Sequence, residues 1–567
     1  MKENIIIIVT ILLLLFNISM FCQQPFMVKD INPGTNTSFN YRPGLTAIGS
    51  TLYFSASDGT NGVELWKSDG TDAGTVMVKD INLSGSGSSY GSAPLNLTNI
   101  NGTLFFTANN GINGRELWKS DGTEAGTVMI KDLNPSHTDD IGFIYKLINF
   151  NGTLFFSANA NNNGTELWKS DGTDAGTVMV IDINPGYTYN VPNRSNPNNF
   201  INVNGALFFA AYNGINGNEL WKSDGTEAGT VMVSNAPGTD STVGTYPNFA
   251  VANGILFFSG ESNSFGTELW KSDGSTSGTV MVKDIYPGYY TNGVPFTSAP
   301  REFCNVNGIL FFTAADTEID SNNKNLELWK TDGTAAGTVK VKEIRESAFN
   351  HGSNPSGLTN ANGILYFSAN DGINGIEIWK SDGTEAGTTL VKDINTLAFA
   401  SSEPVEFTNI NGTVYFVAGS NIIGRELFKT DGTANGTVGY NIGFLTESSL
   451  PADLTNVNGK LFFTATNGGQ SGRELWVLDT NLLSTQENFI NDYKFTIFPN
   501  PVNSILNLQN LDNIVIDKVS ITDLTGKKVL EQNTNSNTVN VENLQNGIYL
   551  LQIFSEGNNS VTKFIKN

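Results

Sequence analysis

The sequence predicts an all-β protein: a closed β-propeller built from about nine four-stranded repeats, followed by a small β-sandwich domain. Three observations support this. The motif Glu-Leu-Trp-Lys-Ser-Asp-Gly-Thr recurs nine times with variations, at intervals of 48 to 59 residues, and a fixed period near 50 residues is typical of repeat arrays. Asn-Gly and Asp-Gly pairs, which favour tight turns, punctuate the same region. Residues 494–567 lack the motif but keep short apolar runs.

An aromatic residue stands at the centre of every copy of the motif. These aromatics are Trp66, Trp118, Trp168, Trp221, Trp270, Trp329, Trp379, Phe428 and Trp476. Burying one tryptophan removes about 150–250 Å² from water, which is worth roughly 4–6 kcal/mol before entropy is subtracted. We therefore expect the rings in the cores of the sheets and not on a sugar-binding surface.

Each repeat divides into four short strands, as the second copy illustrates. The expected strands are Leu97–Ile100, Thr103–Ala108, Arg115–Ser120 and Thr127–Leu133. Asn101-Gly102 joins the first two, because both residues of a type I′ turn need positive φ; the pair recurs in eight of the nine repeats. The second strand is apolar on both faces, so each sheet should pack between two neighbours.

The Ser-Asp-Gly-Thr turn between the third and fourth strands is interpreted as structural. We expect Asp121 to bind the backbone of its own turn, and Gly122 and Gly126 to supply positive φ. The turn is similar to the Asp-box hairpins of sialidase-like propellers, which are also structural.

Both ends of the repeat array are incomplete. Residues 26–31 match a fourth strand that precedes any full repeat, and the last copy, Glu474–Thr480, has no fourth strand after it. Residues 26–31 should therefore pair with the strand around Trp476 and close the ring, which leaves no open sheet edge. Because propellers usually have four to eight blades, two smaller rings or one unit outside the ring are alternatives. The long gap between Trp270 and Trp329 is where a break would fall.

The chain is expected to be exported. Its predicted parts are a signal peptide (1–22), the propeller (23–480), a linker (481–493) and a C-terminal Ig-like β-sandwich (494–567). Lys2 precedes the apolar run Ile5–Phe16, which is too short to span a bilayer comfortably. A lipid anchor on Cys22 is an alternative to simple cleavage, and the bulky Phe21 argues against it.

Four motifs mark the C-terminal part: Phe498–Pro501, Asp523–Val529, Leu544–Tyr549 and Lys563–Lys566. In this order and spacing they resemble the type A sorting domain of the type IX secretion system. The resemblance implies a Gram-negative bacterium of the Bacteroidetes type and passage through the periplasm. It also implies recognition by the type IX secretion machinery and a mature protein that is released or attached to the cell surface. The repeat itself resembles the ELWxxDGT repeat family of secreted bacterial proteins, which brings no activity to assign to particular residues.

The composition excludes some classes of partner. A formal net charge of -22 argues against binding to nucleic acid and to anionic membranes. We also expect that the protein is not an integral membrane protein. Only Cys22 and Cys304 are present, so no intrachain disulfide framework forms, and Cys304 is expected as a buried, inert thiol. His137 and His351 lie in polar connections and lack the spacing of metal ligands.

No catalytic, cofactor-binding or metal-binding residue is predicted. Calcium is the one cofactor considered, at the loop Asp58–Glu64, but its spacing does not match an EF-hand. The repeated glutamates, such as Glu64, Glu116 and Glu166, are equivalent, whereas a glycosidase needs two carboxylates set apart by their surroundings.

We therefore predict a secreted or surface-attached propeller that is not an enzyme and acts as a binding or adhesion module for a glycan or a protein. The alternatives are an extracellular polysaccharide hydrolase or lyase on the same scaffold, and a structural surface-layer protein. Contact surfaces are expected where the repeat is interrupted, at residues 184–200, 234–247, 284–302 and 315–326.

Overall fold

A computed structural model describes residues 24–39, 43–84, 91–135, 144–160, 163–189, 191–215, 217–234, 248–320, 323–345, 352–397, 399–443, 447–468, 471–480, 495–510, 516–523, 527–533, 537–555 and 558–567. The predicted signal peptide and linker, His137 and His351 lie outside these ranges. The described residues form strands and turns without a helix, so none of them provides a helix long and apolar enough to cross a membrane. The chain forms two compact units, one of Gln23–Leu483 and one that includes Ser484–Asn567.

The described residues of the first unit form 38 strands. In chain order they are β1 (Phe26–Lys29), β2 (Thr46–Ile48), β3 (Thr51–Ser57), β4 (Val63–Ser68), β5 (Val76–Lys79), β6 (Leu95–Ile100), β7 (Thr103–Asn109), β8 (Arg115–Ser120), β9 (Val128–Lys131), β10 (Ile144–Phe150), β11 (Thr153–Asn159), β12 (Thr165–Ser170), β13 (Val178–Ile181), β14 (Tyr187–Thr188), β15 (Val191–Pro192), β16 (Asn198–Val203), β17 (Ala206–Tyr212), β18 (Asn218–Ser223), β19 (Val231–Ser234), β20 (Phe249–Ala252), β21 (Ile255–Ser262), β22 (Gly266–Ser272), β23 (Val280–Lys283), β24 (Arg301–Val306), β25 (Ile309–Asp320), β26 (Asn323–Thr331), β27 (Val339–Lys342), β28 (Ser356–Ala361), β29 (Ile364–Asn370), β30 (Ile376–Ser381), β31 (Thr389–Lys392), β32 (Val405–Ile410), β33 (Thr413–Ser420), β34 (Gly424–Thr430), β35 (Val438–Tyr440), β36 (Ala452–Val457), β37 (Lys460–Ala465) and β38 (Glu474–Asp479).

These strands form nine four-stranded antiparallel sheets, one for each copy of the motif. Sheets 1 to 8 are β2–β5, β6–β9, β10–β13, β16–β19, β20–β23, β24–β27, β28–β31 and β32–β35. Sheet 9 combines β36, β37 and β38 with the N-terminal strand β1. The short pair β14–β15 is an addition to the connection between sheets 3 and 4.

The turns have the geometry that the sequence predicts, with one exception. Asn101 and Gly102 have φ of 50° and 89°, and the Asn-Gly pairs of the other seven repeats match them. The Asp121 carboxylate accepts a hydrogen bond of 2.8 Å from the Thr123 amide, and Gly122 has a φ of 88°. The prediction of positive φ for Gly126 is wrong. A β-carbon at Gly126 would lie 2.1 Å from the Asp121 carboxylate, so glycine is needed there for space.

Each sheet is buried on both faces, as expected. Leu104 and Phe106 of β7 pack in one cluster with Leu65 of sheet 1. Phe105, between them in sequence, packs in another cluster with Phe156 of sheet 3. The motif aromatics lie in these cores: all are buried except Trp270, which is partly buried. The expectation that the motif aromatics form core is therefore confirmed for seven tryptophans and for Phe428.

Contacts between sheets repeat in register around the unit. The first strands of consecutive sheets touch, in the order β2, β6, β10, β16, β20, β24, β28, β32 and β36, and β36 in turn touches β2. A lysine on the third strand donates to the glycine carbonyl in the Asp-Gly turn of the next sheet at seven junctions, as Lys67 does to Gly122 at 2.9 Å. In sheet 9, Val477 stands at the lysine position. Lys460 on the neighbouring strand donates instead to Asp69 in the turn of sheet 1, at 3.1 Å.

The pairing predicted for residues 26–31 is present. Met27 lies opposite Trp476 and Phe26 opposite Val477, the register that Met77 and Val76 have on β4. Val28 and Ile31 are buried beside Leu52 and Phe54 of sheet 1. The N-terminal segment therefore supplies both the missing strand and part of the core between sheets 9 and 1.

The C-terminal unit consists of two sheets around one core. Its strands are β39 (Phe495–Phe498), β40 (Ile505–Asn510), β41 (Lys518–Asp523), β42 (Lys528–Asn533), β43 (Thr538–Asn540), β44 (Gly547–Ser555) and β45 (Asn558–Lys566). The sheet orders are β39-β40-β43 and β42-β41-β44-β45. Leu506 and Val539 of one sheet share a core with Ile521, Leu551 and Phe564 of the other. Six strands were predicted, and β45 was missed.

Candidate functional site

Different kinds of loop lie at the two ends of the strands. In an antiparallel sheet with strands in sequence order, the turns between strands 1 and 2 and between strands 3 and 4 lie at one end. The loops between strands 2 and 3 lie at the other end, together with the connections to the next sheet. We call this second end of the sheets the connector face. Gly111 in the 2–3 loop of sheet 2 lies against Asn82 and Ser84 in the preceding connection, which shows the two kinds of loop in contact. The three interruptions that the structure describes, at residues 184–200, 284–302 and 315–326, fall on this face.

A cavity of about 760 Å³ lies where first strands converge. Four sheets contribute three residues each: Gly44, Leu45 and Thr46 from sheet 1; Leu95, Asn96 and Leu97 from sheet 2; Glu406, Phe407 and Thr408 from sheet 8; Asp453, Leu454 and Thr455 from sheet 9. These residues lie at or just before the beginning of the first strands. The chain enters those strands from the connector face, so the cavity lies toward that face. It spans the junction between the beginning and the end of the repeat array.

One position at the beginning of the first strands varies from sheet to sheet, and in sheets 1, 2, 8 and 9 it lines the cavity. It lies five residues before the turn and is occupied in order by Gly44, Asn96, Lys146, Asn199, Asn248, Glu302, Gly357, Glu406 and Asp453. Several of these side chains bridge to the next first strand. Asn96 donates to the Ile144 carbonyl at 3.3 Å, and the Glu406 carboxylate accepts from the Leu454 amide at 3.1 Å.

The cavity wall combines apolar surface, hydroxyls and two carboxyls. Burial raises the pKa of Glu406, and the nearby charge of Asp453 adds to this effect. The Asp453 carboxylate accepts a hydrogen bond of 3.1 Å from Thr464, and the Arg473 guanidinium donates to the same hydroxyl at 3.1 Å. Leucines from sheets 1, 2 and 9 complete the lining. Such a wall can hold a ligand that presents both an apolar face and hydrogen-bonding groups.

Sequence analysis did not identify this cavity. It expected contact surfaces in the interruptions of the repeat, whereas the cavity is built from repeated first strands. The variable position was visible as a polar residue that changes between otherwise similar strands. The sequence does not indicate which four first strands meet at the cavity, because some of their residues are several hundred positions apart.

The interruption at residues 184–200 forms the β14–β15 pair on the connector face. Tyr187 and Tyr189 project from it, and Tyr189 is 96% exposed. The Thr188 hydroxyl donates to the Asn193 amide oxygen at 2.7 Å, which supports the turn. The predicted segment 234–247 lies almost wholly outside the described residues.

The interruption at residues 284–302 is built on three aromatic rings. Tyr286 stacks on Phe296 with 4.5 Å between ring centroids, and Tyr290 meets Phe296 edge-on at 4.7 Å. Tyr289 points outward and donates to the Ser264 carbonyl at 2.9 Å. The packed rings hold the connection in one shape and leave Tyr289 available for contact.

The interruption at residues 315–326 lengthens the hairpin between β25 and β26. Its base is fixed by Lys340, which replaces the methionine of most other fourth strands. The Lys340 ammonium lies 2.9 Å from the Asp316 carboxylate and 2.6 Å from the Glu343 carboxylate. Lys340 therefore joins the base of the longer hairpin to the segment that follows the fourth strand.

The loop considered for calcium has a structural role. The Asp58 carboxylate accepts hydrogen bonds of 2.8 Å from the amides of Thr60 and Asn61, which makes a local turn. Glu64 is fully buried and points to Ser92. The two ends of the loop thus have separate partners. Among the described residues, no group of three acidic, histidine or cysteine side chains could hold a metal ion.

The repeated glutamate of the motif is buried and accepts hydrogen bonds that connect neighbouring sheets. We call such a set of hydrogen bonds a glutamate tie. All nine, from Glu64 to Glu474, are buried. Glu64 accepts from the Ile81 amide at 3.0 Å and from the Ser92 amide at 2.7 Å, and the Ser92 hydroxyl also donates to it. Burial raises the pKa of Glu64 to about 7. Where the connection is described, the glutamate joins the end of one sheet to the segment that starts the next.

The serine partner is present in seven of these ties: Ser38, Ser92, Ser195, Ser298, Ser353, Ser402 and Ser449. At the other two, the corresponding connection lies largely outside the described ranges. Sequence analysis considered these glutamates only as candidate catalytic groups and did not predict the ties.

Cys304 is a free, half-buried cysteine, less enclosed than expected. Burial raises the pKa of its thiol, so the thiolate that would act as a nucleophile is disfavoured.

Comparisons with known proteins bear on the two units differently. No curated protein matches the chain. Puromycin hydrolase is 13% identical with a TM-score of 0.31, and the match covers 67% of this chain and 58% of that one, so the chain spans less than two thirds of that enzyme. An extracellular domain of a hybrid two-component system from B. thetaiotaomicron is 11% identical, with 94% and 76% covered and a TM-score of 0.31.

PorZ, a surface component of the type-IX secretion system of Porphyromonas gingivalis, is 12% identical, with 96% and 80% covered and a TM-score of 0.27. TM-scores this low carry no argument about the activity of this chain.

The C-terminal unit has a specific match. Residues 496–567 match the family model of the secretion system C-terminal sorting domain. Such a domain directs its protein out of the cell, as the sequence motifs implied. The chain therefore ends in a secretion system C-terminal sorting domain, and the protein is exported and either secreted or attached to the outer surface.

Proposed function

We propose that the nine sheets form a closed β-propeller that acts as an extracellular binding module, with its ligand held at the central cavity on the connector face. The observation that carries this proposal is the 760 Å³ cavity lined by four sheets. Its variable residues distinguish it from the repeated surface elsewhere. A glycan or an extended segment of a protein has the mixture of apolar and polar surface that the wall would accept.

Three features support a closed ring. The strand β1 completes sheet 9, the first strands of sheets 9 and 1 touch, and Lys460 supplies the contact that the missing third-strand lysine makes elsewhere. A closed ring fixes the four first strands relative to one another. The cavity is then preformed, which lowers the entropic cost of binding.

The test is a glycan array and an extracellular-protein panel probed with the exported chain, followed by affinity measurements on variants. Asn96→Ala and Glu406→Gln alter the cavity wall and should weaken binding of the selected ligand at least tenfold. Glu302→Gln is the matched control, because Glu302 occupies the same position in sheet 6 but does not line the cavity. Equal affinity of all three variants would contradict the proposal. Turnover of a bound polysaccharide would favour the alternative, a hydrolase or lyase.

A further inference from the structure

The junction between the N-terminal segment and sheet 9 differs from the other junctions in one respect. At the others the two sheets are continuous in the chain. Here the partners are 443 residues apart: the Ile31 amide donates to the Glu474 carboxyl at 3.0 Å. Nothing covalent holds residues 26–38 to sheet 9, so their attachment depends on β1 pairing, core packing and the Glu474 tie.

The Glu474 tie is fully enclosed. Glu474 and Ser38 are both buried. The Ser38 hydroxyl lies 2.6 Å and 2.7 Å from the two carboxyl oxygens, and the Ser38 amide is 3.2 Å from one of them. Glu474 thus contacts the N-terminal segment at two places, Ile31 and Ser38.

Among the residues that the structure describes, no cation forms an ion pair with Glu474. From the N-terminal segment, Asp30 faces it with a like charge, and one Asp30 oxygen is buried without a hydrogen-bond partner among the described residues. Lys29 turns to sheet 1, where its ammonium lies 3.2 Å from Asp72. Arg473, which immediately precedes β38, donates hydrogen bonds to Thr464.

We propose that closure of the ring at this junction is proton-linked, so that residues 26–38 are held most tightly when Glu474 carries a proton and are released more readily as the pH rises through neutrality. A buried carboxylate beside a second carboxylate is costly. A protonated carboxyl removes that charge and can donate a hydrogen bond to the Ser38 hydroxyl.

The direction follows from linkage. Burial, assisted by Asp30, raises the pKa of Glu474 from 4.5 to about 7 in the closed state. When the segment detaches, the carboxyl meets water and its pKa returns to the ordinary value. The closed state therefore holds the proton more strongly. The free energy that favours the closed state through this proton is fully present below pH 4.5 and is lost as the pH rises to about 7.

Hydrogen exchange at pH 5.5 and 8.5, corrected for the intrinsic exchange rate, tests the proposal on the exported protein. Protection of residues 26–38 should fall by about thirtyfold between the two pH values for a carboxyl with these two pKa values. Glu474→Gln, which carries no titrating proton, should abolish most of this fall.

Glu268→Gln is the matched control. Glu268 makes the same tie to Ser298 and Ile285, faces Asp284 and has a pKa raised to about 7, but it lies within continuous chain. This variant should leave the pH dependence of residues 26–38 unchanged.

A second variant covers the case in which Glu474→Gln does not fold. The Ser38 hydrogen bond lowers the pKa of Glu474, so Ser38→Ala should move the midpoint of the transition to higher pH. Equal protection of residues 26–38 at both pH values would overturn the proposal. So would an unchanged fall in Glu474→Gln, or a midpoint unmoved in Ser38→Ala.

Discussion

Replacing Ile31 by alanine tests whether the N-terminal segment belongs to the core between sheets 9 and 1, as the proposed closed ring requires. Ile31 is 4% exposed and packs between sheets 9 and 1. Its counterpart in an internal junction is Ile81, which is 5% exposed and packs between sheets 1 and 2. In both residues the backbone amide donates to the motif glutamate at 3.0 Å. The two side chains therefore form a matched pair.

The expected loss is the same at both positions. Truncating a buried isoleucine to alanine removes apolar contacts and leaves a cavity, at a cost of about 3 kcal/mol. Truncating an exposed side chain changes the free energy of unfolding by less than about 0.5 kcal/mol. A closed ring predicts the first value for Ile31→Ala, and a peripheral N-terminal segment predicts the second.

Urea unfolding followed by tryptophan fluorescence measures both variants against the parent protein. Trp66 and Trp476 lie in the two sheets that pack on either side of Ile31, so the fluorescence includes a contribution from both sides of the junction. The reasoning is refuted if Ile81→Ala loses about 3 kcal/mol while Ile31→Ala matches the parent protein.

Two further predictions concern the junction contacts and the turns. Lys460→Ala removes the hydrogen bond to Asp69 and should lower the free energy of unfolding by about 1 kcal/mol, and adding Val477→Lys, which restores the motif lysine, should recover it; urea midpoints that do not respond to either change would contradict this. Gly122→Ala should destabilise more than Gly102→Ala in thermal unfolding. Both glycines have a φ near 90°, but only at Gly122 would a β-carbon meet Tyr53, at 2.2 Å, so equal melting temperatures would count against the packing described.

Much of the repeat unit could be predicted because its signals are local. The strand Arg115–Ser120 has the predicted bounds, and the Asn-Gly turns have the predicted φ because the dipeptide itself determines that geometry. The partner of residues 26–31 could also be inferred, although it is distant, because the last repeat lacks the strand that these residues resemble.

The cavity and the glutamate ties could not be predicted because they depend on tertiary contacts. Glu64 is tied to Ser92, and nothing in the motif indicates that a charged residue will be buried there. Asn96 and Glu406 meet at one cavity only through the arrangement of sheets 1, 2, 8 and 9. Gly126 is a smaller example. From the sequence, a positive φ is the expected reason for a glycine at this position, whereas in the structure the nearby Asp121 carboxylate leaves no space for a side chain.

Ring closure is tested most directly by a disulfide between β1 and β38. Phe26 lies opposite Val477, as Val76 lies opposite Lys67 within sheet 1, so the pair Val76→Cys/Lys67→Cys is a control of the same register. Phe26→Cys/Val477→Cys should oxidise as completely as the control and give a species whose electrophoretic mobility shifts on reduction. A control pair that forms while the 26–477 pair stays reduced would contradict closure of the ring by the N-terminal strand.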